Sequence, residues 1–351
     1  MSEMPIDFKG LLDSVANVGQ ERDVPVYVDL VFDPTASDRL IDEVLAAFSE
    51  SDSEAFVEKL VLETTVPDLP VPCDLCVIVG GDSLLLGDVA AAARSKGIPA
   101  VVAIERGKTY FSHDPKAAQA FVDATIAANE TPRVKTAAGT ASAQMQTVGR
   151  GIPVDDIIDI DLNAIEDRPL EELGEWIVSN APAKRIAMAA DFPFLRHPLA
   201  ADIIRRATIQ NGAVSVVFFV PGADMPVITL NQVKMALQIA AAYGNPMGSA
   251  RIKEVAAIVA GGFGFRGIAR KLVSLVPVLS WAIKPAVSAS GTFAMGQAAI
   301  GYYEGGLKQG DLAHAGSNAV QIASDGIDKT AEVVEKVFDG FLAHRPRKKA
   351  Y

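Results

Sequence analysis

The segment VPVYVDLVFDPTASDR (24–39) sets an apolar run, 24–32, against a turn of Asp, Pro, Thr and Ser, then opens an amphipathic pattern that lasts to residue 49. A short apolar run bounded by turn residues and followed by a helical period reads as strand, loop and helix. The alternation continues down the chain. AFVEKLVLE (55–63) and CDLCVIVG (73–80) read as strands, 83–96 as a helix and IPAVVAIE (98–105) as a further strand. Pro115 stands just inside a run from Asp114 to Ala128, a good helix start because proline's missing N–H costs nothing in a first turn. Residues 129–150 lack periodicity and read as a long loop, after which DDIIDIDL (155–162) supplies a last strand and PLEELGEWIV (169–178) a last helix. Strands alternating with helices at this spacing predict an α/β domain over residues 1–182, a mostly parallel sheet covered by helices.

Beyond Pro182 the period-two signal fades, and the predicted elements are helices at 199–211, 227–243, 250–260, 266–275, 286–303 and 312–342. Turns are expected at GNP (244–246), Gly261–Gly262 and Pro285. In 227–243, Leu230, Val233, Leu237 and Ala240 share one face, while Asn231, Lys234 and Gln238 fall elsewhere. Asp224 is placed to cap that helix and Gly244 to end it. An all-α domain over 183–351 is expected, with the boundary near 180–185. The stretch Pro285–Tyr303 is uncharged but diluted by serines, glycines and Gln297, so it does not read as a complete span of about 20 apolar residues.

Composition narrows the class. Of 351 residues half are hydrophobic and 21% charged, which excludes general disorder and gives enough chain for two cores. Two cysteines exclude a disulfide framework, and the opening MSEMPIDFKG has no basic segment followed by an apolar run; the expected compartment is the cytoplasm. The net charge of −11 is divided unevenly: residues 1–180 carry 13 Lys and Arg against 32 Asp and Glu, residues 181–351 carry 19 against 11. Nucleic acid is not an expected partner of the acidic half. The basic, apolar half suits a protein partner, another copy of the chain, or an anionic membrane surface.

The element order is that of a small GTPase domain with a shortened switch region, and it prompts a search for phosphate-binding chemistry. A P-loop, GxxxxGK[ST], uses glycines so that backbone N–H groups can close around phosphate, Lys to neutralise it and Ser or Thr to hold Mg²⁺. Here Phe32 stands at the first glycine, Ser37 at the second, Asp38 at the lysine and Arg39 at the hydroxyl residue. The Mg²⁺-associated DxxG would fall at LETT (62–65) and the guanine-reading NKxD at ERGK (105–108), where Lys108 alone echoes it. No cofactor, metal or catalytic group is expected of such a domain.

VPGADMPVITLNQVKMALQIAAAYG, then RGIARKLVSLVP and SGTFAMGQAAIGYYEGG, resemble the helical domain of unknown function 697, over about residues 200–306. The proline–aspartate entry, the Gln–x–x–Met helix and the Thr–Phe–Ala–x–Gly run occur in the family's order. The resemblance implies a helical partner to a GTPase domain, here a degenerate one, and brings no catalytic residues with it.

Other constellations compete. GFGFRG (262–267) matches G-x-G-x-x-G after the apolar run VAAIVAG, so a nucleotide- or dinucleotide-binding enzyme or sensor is the alternative function. Residues 268–303 contain no Asp or Glu to receive a ribose, which favours a turn between helices. The loop Gly80, Gly81, Asp82, Ser83 follows one strand and precedes a helix, the best small-molecule loop of the first domain. Cys73 and Cys76 are three apart on a strand and point to opposite faces. Asp155, Asp156, Asp159 and Asp161 read as a solvated acidic edge rather than a cation site. His113, His197, His314 and His344 are scattered, and RPRKK (345–349) reads as a disordered tail. Arg205, Arg206, Arg266, Arg270 and Lys271 form the candidate association surface.

Overall fold

A computed structural model describes residues 8–49, 55–106, 152–163, 168–217, 224–247 and 280–305. The chain divides into two compact units, Glu21–Leu199 and Met1–Gln20 with Ala200–Tyr351. The helix α1 (Phe8–Arg22) therefore falls chiefly in the second unit, and the first runs past the 180–185 breakpoint expected from the sequence.

The first unit is an α/β structure. Its elements are β1 (Tyr27–Phe32), α2 (Asp38–Ser49), β2 (Phe56–Val61), β3 (Leu75–Val79), α3 (Leu86–Ser95), β4 (Ala100–Glu105), β5 (Ile157–Ile160), α4 (Glu171–Asn180) and α5 (Arg185–Asp191). The five strands form one all-parallel sheet in the order β2-β1-β3-β4-β5. β3 is buried throughout, and β1 and β4 in all but one residue each, so both faces are covered and these strands read as continuous apolar runs. On one face Val31, Cys76, Ile78, Val102 and Ile104 pack with Leu86, Val89, Ala90 and Ala93 of α3. α2 forms because Leu40, Val44 and Phe48 recur every fourth residue as a buried stripe. Phe48 meets the rings of Phe192 and Phe194 at 4.9 and 5.1 Å.

β2 differs from its neighbours. It is an edge strand, and Phe56 and Val61 at its ends are exposed. Phe56 stacks on Tyr27 of β1 at 4.9 Å. Lys184 lies over that tyrosine ring and bonds Pro25 O and Asp74 Oδ2, each at 2.8 Å, which ties the segment before α5 to the amino ends of β1 and β3.

In the second unit the described elements are helices: α1, most of α6 (Arg196–Val217), α7 (Met225–Ala242) and α8 (Ser280–Tyr303). α8 contains Pro285, where the sequence suggests a turn. Asp224 precedes α7 but makes no side-chain cap bond, and its carbonyl accepts from Ile228 N. Gly244 ends α7 with φ 75°, a left-handed conformation that glycine adopts without strain.

α7 is not one-faced. Thr229, Gln232 and Met235 are buried along with the expected apolar residues, and Lys234 is exposed. Gln232 can be buried because it bonds across helices, as do Asn231 and Asn211 beside it. Gln232 Nε2 and Asn211 Nδ2 donate to Thr292 Oγ1 at 3.1 and 2.9 Å, Thr292 Oγ1 donates to Ser288 O, and Asn231 Nδ2 donates to Asn211 Oδ1 at 2.8 Å. Close approach of α6 and α8 accompanies this network. A Cβ at Gly296 would lie 2.4 Å from Ile204 Cγ1, whereas one at Gly212 would meet only Ala289 Cβ at 3.7 Å and Pro285 O at 3.8 Å.

The two glycines should respond with opposite sign. Gly296→Ala overpacks the helix contact and is expected to destabilise by about 1–3 kcal/mol. Gly212→Ala fits and should gain up to about 1 kcal/mol of helix propensity. Urea denaturation of both variants checks this; equal effects would show that the α6–α8 contact is misplaced.

Candidate functional site

β1 and β3 are adjacent parallel strands whose connections leave in opposite directions, β1 through α2 to β2 and β3 through α3 to β4. The crevice at their carboxyl ends is where open parallel sheets receive ligands. Two loops meet there, 33–37 and 80–85.

Asp33 holds them together. Its N–H donates to Val79 O at 3.0 Å, which continues the β1–β3 ladder past Phe32. Its side chain is turned inward, and the residue is 1% exposed. Oδ1 accepts from Thr35 N at 2.9 Å and Thr35 Oγ1 at 2.8 Å; Oδ2 accepts from Gly81 N at 3.0 Å and Ser83 N at 2.9 Å. Asp82 N donates to Thr35 Oγ1 at 2.6 Å. Backbone N–H groups aimed at one point make an anion-binding concavity, and here the chain's own carboxylate fills it. Gly81 is required by the same approach, since a Cβ there would lie 2.4 Å from Ala36 N and 2.5 Å from Thr35 C.

The sequence-predicted residues take other positions. Phe32 is the buried last residue of β1. Ser37 caps α2, its Oγ accepting from Leu40 N at 3.2 Å. Asp38 is exposed in the first turn of α2, where a negative charge suits the helix dipole. Arg39 is directed away to Asn163 Oδ1 at 2.9 Å and to Leu162 O. Of the loop Gly80, Gly81, Asp82, Ser83, the N–H groups of the last three are all engaged by Asp33 and Thr35. Sequence reasoning placed the negative charge at Asp38 and missed Asp33. The signal was present in Asp-Pro-Thr, a spacing at which an aspartate bonds backbone two residues on, with a double glycine after the neighbouring strand.

Asp156, Asp159 and Asp161 of the acidic edge are ion-paired, and Asp155 is exposed. Asp156 accepts from Arg94 at 2.8 Å and from Trp176 Nε1 at 3.1 Å, while Arg106 reaches Asp159 and Asp161 at 3.3 Å and Glu172 at 3.2 Å. Burial raises the Asp159 carboxyl and Arg106 opposes the rise. Among the described residues no group of three His, Cys, Asp or Glu side chains is arranged for a metal ion. His197 pairs with Glu171 at 2.7 Å; the other three histidines lie outside the described residues.

A second buried carboxyl lies in β1, on the face covered by α3. Asp29 is 3% exposed, and its Oδ2 has no hydrogen-bond partner. Burial raises its pKa first; Cys73, to which it is hydrogen-bonded, and Lys96 oppose the rise, and Glu58 adds to it. Cys73 and Cys76 are free thiols. Burial and the Asp29 bond push Cys73 up to about 12, and burial raises Cys76 as well. Thiols so disfavoured as thiolates are poor nucleophiles and poor metal ligands.

Arg205 and Arg206 both contact Asp202, at 2.6 Å each, and remain more than half exposed. Arg266, Arg270, Lys271 and the whole of GFGFRG lie outside the described residues. No described helix is long and apolar enough to cross a membrane. Comparison of the chain with protein-family models, curated proteins and solved structures gives no match.

Two outcomes are expected. Asp33→Ala leaves the N–H groups of Gly81 and Ser83 without their acceptor and should destabilise by about 2–4 kcal/mol, against less than about 0.5 kcal/mol for exposed Asp38→Ala; thermal denaturation reads both. Asp29 binds its proton more tightly in the folded than in the unfolded chain. Its contribution is therefore full below the ordinary carboxylate range and is lost as pH rises from about 4 through the raised value. Asp29→Asn should gain stability over the parent across that rise, and a difference independent of pH would show that the carboxyl is not held protonated.

Proposed function

We propose that the chain is a non-catalytic, pseudo-GTPase-like protein that acts by association through its helical region. The observation that carries the reading is the Asp33 carboxylate, which fills the switch-point crevice and engages backbone donors that a phosphate would need. Loss of P-loop, DxxG and NKxD residues supports the same conclusion from the sequence. An all-parallel order with β1 between β2 and β3 is compatible with a GTPase-type sheet lacking its antiparallel edge strand. Other doubly wound folds share that order, so the reading rests on the loops.

The cationic, apolar residues beyond 181 supply the association half of the proposal. They favour an acidic protein or an anionic bilayer as the partner and exclude nothing about a second copy. Calorimetry with GTP and GDP in the presence of Mg²⁺ is the test. No binding is expected at micromolar nucleotide, and micromolar affinity for either would overturn the pseudo-GTPase reading.

A further inference from the structure

Across the contact between α6 and α8, rising numbers on one helix meet falling numbers on the other. Ile204 lies against Gly296, Asn211 against Thr292, and Gly212 beside Ala289 and Pro285. At 3.6 residues per turn, Arg205, Ile209 and Val216 fall within roughly 40° of one another on α6. Gly212 stands between that stripe and α8. On α8, Phe293 follows Thr292 and lies on the side of Ala289 and Gly296, the side that faces α6. Ile209, Val216 and Phe293 are exposed by 63, 59 and 43%. The helix contact therefore carries an apolar strip along its outer side, lowered at its centre by a glycine.

We propose that this strip is the surface by which the protein docks on an anionic lipid bilayer. The inference deepens the association half of the reading above by naming the partner. Three observations select a bilayer. First, polar side chains of the contact are turned inward: Asn211 and Gln232 bond to Thr292, Thr292 to Ser288 O, and Ser288 to Asn211 O, while Thr208 Oγ1 and Ser215 Oγ are buried without a partner. The outer side thus carries large apolar groups that need no water.

Second, the charges at its end are complementary to anionic headgroups. Two guanidinium groups share the one carboxylate of Asp202, which is 10% exposed against 66 and 54% for the arginines. Third, the chain carries no charge from Ala207 to Ala223 and reads Val-Val-Phe-Phe-Val over 216–220. The exposed end of α6 is thus continuous in sequence with a further apolar run. A bilayer accepts such a surface without matched shape, by insertion of apolar side chains into the headgroup boundary and attraction of the cations.

The test is co-sedimentation of the full chain with vesicles of phosphatidylcholine alone and of phosphatidylcholine mixed with phosphatidylserine, beside light scattering of the same samples. The expected result is binding to the anionic vesicles only, weakened by added salt, and reduced about tenfold or more in the double variant Ile209→Gln, Phe293→Gln. Both positions are exposed, so the variant should melt as the parent does; if it does not, Val216→Ser is read in the same way. Three results would each overturn the inference: no binding to anionic vesicles at low salt, equal binding by parent and variant, or self-association of the parent that the variant abolishes. None of these touches the nucleotide measurement, so the surface can fail while the pseudo-GTPase reading stands.

Discussion

The carboxylate of Asp33 is the constraint on which the first unit's upper edge depends. A buried charge survives folding only when fixed donors replace its hydration, and four donors from two loops do so here. Each loop is then committed. The turn after β1 must present Thr35 twice, the turn after β3 must bring two amides to one oxygen, and Gly81 must have no side chain. The starts of α2 and α3 are set by these positions, because each helix begins within a few residues of its loop. An arrangement that elsewhere receives a ligand serves here as an internal fastening.

The second unit solves a related problem by different means. Its helices approach closely at glycine, and Asn211, Asn231, Gln232 and Thr292, brought into the contact, bond to one another. Thr292 Oγ1 receives two side-chain donors and gives its own hydrogen to a carbonyl one turn back. A network bonded across helices in this way fixes helix register more strictly than apolar packing alone, since a shift by one residue leaves several groups without partners.

The sheet was legible in the sequence chiefly because β1, β3 and β4 are buried on both faces and appear as near-continuous apolar runs at regular spacing. β1 to β5 fall within the runs at 24–32, 55–63, 73–80, 98–105 and 155–162. Long-range bonding could not be read in the same way. The Asp-Pro-Thr spacing marks Asp33 for a local turn bond, but only the meeting of two loops buries it while Asp38 stays exposed. For the same reason α7 looked one-faced: Gln232 and Thr229 count as polar in any periodicity, and the burial of Gln232 depends on Thr292, sixty residues on.

The edge strand β2 has a consequence for how these molecules behave toward one another. Its outer backbone is unpaired among the described residues, and exposed Phe56 and Val61 flank Glu58 and Lys59. Successive side chains point to opposite faces, so each face of the strand carries one charge. Two copies related by a two-fold axis can extend the sheet only by antiparallel pairing in which a residue opposes another of the same parity. Centred on Glu58, such pairing sets carboxylate against carboxylate; centred on Lys59, it sets ammonium against ammonium. A strand that its ends mark as adhesive is thereby made a poor template for itself, and sheet-to-sheet joining of identical chains is discouraged by two side chains.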